Sequence, residues 1–135
     1  MTTMTTTLDI YGTVFKNGTC TLLARIVDSS GASLDPSAVA SVVYSVYLLD
    51  DDDADRRTPV AGHEAVAVPV GDVLLEAPCV DALWSIDAIG YNFRHLLDVS
   101  AAAAFPTARR KYLVEYRLAP NGGQVVLLRF RVNAI

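Results

Sequence analysis

The sequence predicts an all-β chain folded as a sandwich of two antiparallel sheets, with about seven to eight strands and one or two short helical turns. Three observations predict it. Apolar and polar residues alternate with period two in several separate stretches. Clusters of Gly, Asn, Asp, Ser and Pro punctuate the chain between those stretches. Sustained helical periodicity is nearly absent.

Taken in chain order, Leu8 to Phe15 is a short first strand. The stretch before it, Met1–Thr7, reads "MTTMTTT": strong β-propensity without a core-forming period. It is expected to be a flexible arm, residues 1–7, ahead of a single domain, residues 8–135. Cys20, Leu22, Ala24 and Ile26 then alternate with Thr21, Leu23, Arg25 and Val27, and "DSSGAS" turns the chain. "DPSAVAS" can hold one helical turn, with Asp35 as cap and Pro36 as first residue. In the next strand Val42, Tyr44, Val46 and Leu48 oppose Val43, Ser45, Tyr47 and Leu49; both faces are apolar, which predicts a central, covered position. Ala65–Val68 and Val73–Glu76 are shorter strands, and Pro69 and Gly71 between them favour a sheet edge. Tyr91, Phe93, His95 and Leu97 alternate with Asn92, Arg94, Leu96 and Asp98, after which "VSAAAAFP" can hold a second helical turn, stopped before Pro106.

The clearest period closes the chain. Tyr112, Val114, Tyr116 and Leu118 share one face, with Lys111, Leu113, Glu115 and Arg117 on the other. After "APNGG", Val126, Leu128, Phe130 and Val132 point inward, and Leu127, Arg129 and Arg131 outward. Two alternating arms around a Gly-bearing turn form a β-hairpin. The Phe-Pro bend of "AFP…RRKY" enters this hairpin at Tyr112, so Tyr112 or Tyr116 is expected to tie the last strands to the preceding crossing, as a tyrosine corner does.

A length of 135 residues suits one domain with one core. An apolar share of 52% against 19% charged makes the chain globular rather than disordered. The net charge of −4 argues against nucleic acid and against an anionic membrane surface as partners. The longest uncharged apolar-rich run, Ser37 to Leu49, is 13 residues, too short to span a bilayer. No Sec-type leader is visible at the start, so a soluble product made in the cytoplasm is expected.

The residues capable of chemistry are few and scattered. In "DDDDADRR", Asp51, Asp53 and Asp55 have the spacing of a calcium loop's first ligands, but Arg56 stands where that loop needs Gly and Gly62 where it needs Glu. A solvated connection, partly neutralised by Arg56 and Arg57, is the expectation. His63, His95, Cys20 and Cys79 have no ligand spacing among them, so no metal is expected. Cys20 and Cys79 are expected as free thiols, and Cys20 sits at an inward position where a thiol is inert. Ser85 lacks a nucleophile motif, and "NGG" lies between strands rather than before a helix. No enzyme activity and no cofactor are therefore expected. Trp84, Tyr91 and Tyr47 could stack a sugar if they are exposed, although a tryptophan more commonly anchors a connection.

What remains is an excess of apolar residues in outward phases: Leu23, Val27, Val43, Tyr47, Leu49, Leu113, Val125 and Leu127. The outer face of a solitary sandwich is mostly polar, so this excess predicts contacts with neighbours. The order of features in "NGTCTLLARIVDSSGASLDPSAVASVVYSVY" and "GYNFRHLLDVSAAAAFPTARRKYLVEYRLAPNGGQVVLLRFRV" resembles the immunoglobulin-like modules of tailed-phage structural proteins. It is most similar to the N-terminal domain of siphophage upper-baseplate proteins, over roughly Asn17 to Val132. The resemblance is one of strands and turns. The acidic loop Asp50–Arg57 and the connection Asp72–Ala88 depart from it, no catalytic or ligand residues carry over, and bacterial adhesin and macroglobulin modules share the layout. The resemblance implies an immunoglobulin-like sandwich and a non-enzymatic structural subunit of a virion: connector, tail, baseplate or capsid decoration. Its partners would be other copies of itself in a homo-oligomer and other particle proteins. The residues expected at the contacts are Leu113, Val125 and Leu127 on a sheet face and Thr5, Thr6 and Thr7 of the arm, adding as a strand to a neighbour's sheet. Two other readings stay open: a ligand-binding sandwich for carbohydrate or a host-surface partner, and a bacterial immunoglobulin-like interaction domain.

Overall fold

The computed structural model describes residues 6–14, 18–28, 31–53, 55–82, 84, 86–122 and 125–135, the first of these segments by its backbone alone. Among the described residues, nine strands and almost no helix run in the order β1 (Thr6–Val14), β2 (Thr21–Ala24), a 3-10 turn (Pro36–Ala38), β3 (Val39–Leu49), β4 (Arg57–Pro59), β5 (Val66–Val68), α1 (Val70–Val73), β6 (Leu74–Cys79), β7 (Tyr91–Leu96), β8 (Lys111–Pro120) and β9 (Val126–Ala134). The larger sheet has the order β1-β9-β8-β3-β4, with β5 also on β3; the smaller is β2-β7-β6. The chain crosses between sheets in the immunoglobulin-like manner: the second, sixth and seventh strands form one layer, and the third and the last two form the other.

The central hairpin follows directly from its alternation. β8 and β9 pair antiparallel from Lys111↔Asn133 to Leu118↔Val126. This register brings Tyr112, Val114, Tyr116 and Leu118 together with Leu128, Phe130 and Val132 inside the sandwich, all of them buried. Each such side chain contributes about 1.5–3 kcal/mol through burial. β3 pairs with β8 on one side and with β4 and β5 on the other, so it is central, and Val42, Tyr44 and Val46 point into the core. Its opposite face is half-buried at Val43, Ser45 and Tyr47 and buried only at its end, at Leu49, so most of the strand is not covered on both sides. The smaller sheet closes the core with Leu22, Ala24, Leu74 and Phe93. Asn92 has the outward phase of β7 and is fully buried. Its side-chain amide accepts from the Ile26 amide at 2.6 Å and donates to the Ile26 carbonyl at 2.8 Å, extending the β2 ladder beyond Ala24.

The expected turn at Asp35 forms, capped by the Asp35 carboxylate on the Ser37 amide at 2.9 Å with Pro36 at its start. The second expected helical turn does not: residues 99–106 carry no helix. Four alanines are too few to nucleate one against the packing of Ala104 and Phe105, both fully buried. A single turn forms instead at Val70–Val73, where Pro69 and Gly71 had suggested only an interruption.

The arm boundary needs a second correction. Thr6 and Thr7 are the first residues of β1, which pairs parallel to β9 from Thr6↔Val126 to Val14↔Ala134. Its nine residues have the β-propensity to hold a strand, and the edge of β9 pairs those backbone groups that face it. Met1–Thr5 lie outside the described residues.

Candidate functional site

Folding brings together the groups that sequence spacing kept apart. Tyr44 and Tyr116 face each other across β3 and β8 with ring centroids 5.7 Å apart. His95, on the inward face of β7, meets both: its Nδ1 shares a hydrogen bond with the Tyr116 hydroxyl at 2.5 Å, and its ring lies 5.3 Å from that of Tyr44. His63 enters from the connection after β4 and is buried. Its Nε2 lies 2.8 Å from the Ala102 carbonyl, which can only accept, so Nε2 donates there, and its Nδ1 shares a hydrogen bond with the Tyr44 hydroxyl at 2.9 Å. Cys20 borders the cluster, its carbonyl accepting from the Leu97 amide at 3.2 Å.

Burial keeps four groups of this cluster, Cys20, His95, Tyr44 and Tyr116, un-ionised near neutral pH. Burial pushes the Cys20 thiol up to about 11, so it is not a thiolate. Burial holds His95 below the ordinary imidazole value, outweighing the opposing charge of Asp72. Burial also raises both tyrosines; Asp98 adds to the effect at Tyr44, and Cys20 and Tyr44 add to it at Tyr116. Tyr116 bonds to His95, Tyr44 to His63, and His63 to the Ala102 carbonyl, which binds β8 to β7 and β3 to the 98–105 crossing.

A second construction sits at the opposite end of the sandwich. Asp87 accepts from the Trp84 indole at 3.0 Å, from the Ile89 and Gly90 amides at 3.0 and 3.1 Å, and from Arg25 at 2.6 Å. These donors, the Gly90 amide first, hold its carboxyl well below the usual carboxylate range. Gly90 has φ +103°, and a Cβ there would sit 2.3 Å from the Cys79 carbonyl oxygen, so the close return of the chain requires glycine. Tyr91 is buried and donates to Asp81 at 2.5 Å, a bond that pushes its phenol up to about 12. Around this anchored connection stand Ile86, Ile89, Val80 and Val27, at 72%, 60%, 51% and 48% exposure. Val27 follows the end of β2, Val80 the end of β6, and Ile89 precedes β7, so all four crown one end of the smaller sheet.

The residues expected at a contact fare differently. Leu113 has the outward phase but is 2% exposed. The register sets Tyr47 and Arg131 directly beside it on that face, where a ring and a long aliphatic stem shut out water. The Arg57 guanidinium in turn lies 4.2 Å over the Tyr47 ring and 3.5 Å from Glu115. Leu113 is therefore part of the chain's own packing and not a docking residue. Leu127 and Val125 are half-buried, and Thr6 and Thr7 pair with Val126 and Leu127. Of the aromatics that could stack a sugar, Tyr91 is buried, Tyr47 lies beneath Arg57, and Trp84 is tied by its indole edge to Asp87 and packed 5.9 Å from Tyr91. Trp84 anchors its connection.

In the acidic loop the carboxylates serve their own backbone: Asp50 accepts from the Asp52 and Asp53 amides at 2.8 and 3.1 Å, and Asp53 from that of Asp55 at 3.0 Å. The cation beside the loop is Arg110, 3.5 Å from Asp51, while Arg57 is turned to Tyr47 and Glu115. Both cysteines are free, and they lie at opposite ends of the smaller sheet. Among the described residues no three His, Cys, Asp or Glu side chains come together as a metal site, and no helix is long and apolar enough to cross a membrane. No protein-family model, curated protein or solved structure gives a significant match to the chain.

Proposed function

We propose that this chain is a non-enzymatic structural subunit of a tailed phage or phage-like particle, working through protein–protein contacts with other copies and with other particle proteins. The observation that carries the contact role is the apolar crown of Val27, Val80, Ile86 and Ile89. Val80, Ile86 and Ile89 lie on a connection that Asp87, Trp84 and Gly90 fix in place, and Val27 stands at the same end of the sheet beyond β2. An apolar patch on a rigid support suits a protein partner, because little ordering entropy opposes docking. The hydrogen-bonded histidines and tyrosines, by contrast, are occupied in holding the two sheets together. The particle assignment rests on the order of strands and turns, which is similar to that of phage immunoglobulin-like modules. In cells that make the whole particle, Ile86→Asp with Ile89→Asp is expected to leave the circular dichroism spectrum unchanged and to exclude the chain from particles. Incorporation at the wild-type level would refute the role of the crown.

A further inference from the structure

The four edges of the two sheets are not alike. β2 offers only Thr21–Ala24. β6 is interrupted by Pro78 and by a register shift between Leu74 and Cys79. The β3 side ends in two three-residue strands, β4 and β5, bounded by Pro59 and Pro69. Short strands, prolines and irregular register are the devices that keep a sheet edge from pairing further. β1 has none of them: it runs nine residues, "TTLDIYGTV", without proline, lysine or bulge, and among the described residues it has one neighbour, β9. Half of its backbone donors and acceptors face away from that neighbour, which is the recognition surface for another strand.

We infer that β1 pairs antiparallel with β1 of a second copy, about a two-fold axis through Ile10. The strand is self-complementary in that register. Ile10 meets Ile10, and Thr6 meets Val14, Thr7 meets Thr13, Leu8 meets Gly12 and Asp9 meets Tyr11 of the other copy. Asp9 is the strand's one charged residue, and it falls opposite a tyrosine position rather than opposite itself. The pairing also preserves the pleat. Thr6, Leu8, Ile10, Gly12 and Val14 hold register positions beside Val126, Leu128, Phe130, Val132 and Ala134. Each of them meets a residue of that same set, so both cores lie on one side of a continuous sheet. An isologous contact of this kind closes at two copies. The inference rests on the assembly reading for its purpose but not for its chemistry, since the edge would pair in the free protein.

Sedimentation velocity of the purified full chain over a dilution series tests it. The wild type is expected as a dimer that dissociates on dilution. Tyr11→Asp sets two carboxylates opposite Asp9 residues, and it is expected to weaken the dimer about tenfold. Within its own chain position 11 is in register with Arg131, and an unchanged circular dichroism spectrum checks that the variant still folds. Adding Asp9→Lys to Tyr11→Asp makes both cross-copy pairs opposite in charge and is expected to restore the dimer. A monomeric wild type, or a dimer indifferent to Tyr11→Asp, would overturn the inference. So would a double variant no tighter than Tyr11→Asp alone. A dimer that passes these tests but is never found in particles would leave the edge contact standing and remove the particle role.

Discussion

Removing the hydroxyl of Tyr112 isolates one bond in the architecture. Tyr112 stands at the start of β8, fully buried, and its hydroxyl accepts from the Thr107 amide at 2.9 Å and approaches the Thr107 carbonyl at 3.4 Å. It thereby ties the last two strands to the crossing that precedes them, the arrangement of a tyrosine corner. Tyr112→Phe keeps the ring and its edge-to-face packing on Phe105, with centroids 5.3 Å apart, and deletes only the bond. A net hydrogen bond contributes about 0.5–1.5 kcal/mol, and a stranded donor costs about 1–3 kcal/mol if it stays buried. Thr107 is itself exposed, so water can reach part of the vacated site, and about 1–2 kcal/mol is expected. For a chain of this size that lowers the melting temperature by about 3–8 °C. Urea titration reads the free energy, and hydrogen exchange at the Thr107 amide reads the bond itself. An unchanged midpoint with undiminished protection at Thr107 would mean that the Tyr112 hydroxyl does not tie the strands to the crossing.

Other expectations test other parts of the fold. The folded Asp87 carboxyl sits below its unfolded value, so the bonds it accepts contribute fully above the ordinary carboxylate range of about 4 and are lost as pH falls through the folded value. Proteolysis of the 80–90 connection should accelerate in that acid window, and Asp87→Asn should show the acceleration already at neutral pH. Leu113→Glu should unfold the chain or cost about 2–5 kcal/mol in a denaturation series, because it strands a charge among covered neighbours; Leu127→Glu on the same face should cost far less. Replacing Asp51, Asp53 and Asp55 together with Asn should leave the melting temperature nearly unchanged, with or without added calcium.

The strands were legible where pairing is local. The β8–β9 hairpin, the "DSSGAS" turn, the Asp35 cap and the Tyr112 corner all join residues close in sequence, and alternation or a capping residue announces each of them. Partners far apart left no such trace. Nothing in the chain tells that Tyr44 bonds His63, 19 residues on, or that His63 bonds the Ala102 carbonyl, 39 further. Only the first two residues of β1, Thr6 and Thr7, looked like arm, because its partner β9 is the last strand and a parallel pairing leaves no hairpin turn to mark where the strand begins. The phase of Leu113 was read correctly, but phase reports a face and not what covers it; the covering comes from Tyr47 and Arg131 on neighbouring strands. Of the exposed crown only Val27 had a readable outward phase, and the rest was hidden for the opposite reason. Ile86 and Ile89 lie in an aperiodic connection, where alternation has no meaning and apolar residues look like core.

The particle role is tested most directly by finding where the native chain resides. Lysate of the source cells would be sedimented through a density gradient, with each fraction assayed for this chain by quantitative mass spectrometry. A structural subunit bands as a fixed number of copies with a phage-like particle and resists a salt wash. Recovery of the chain in low-mass fractions alone, while intact particles band without it, would rule out the particle role.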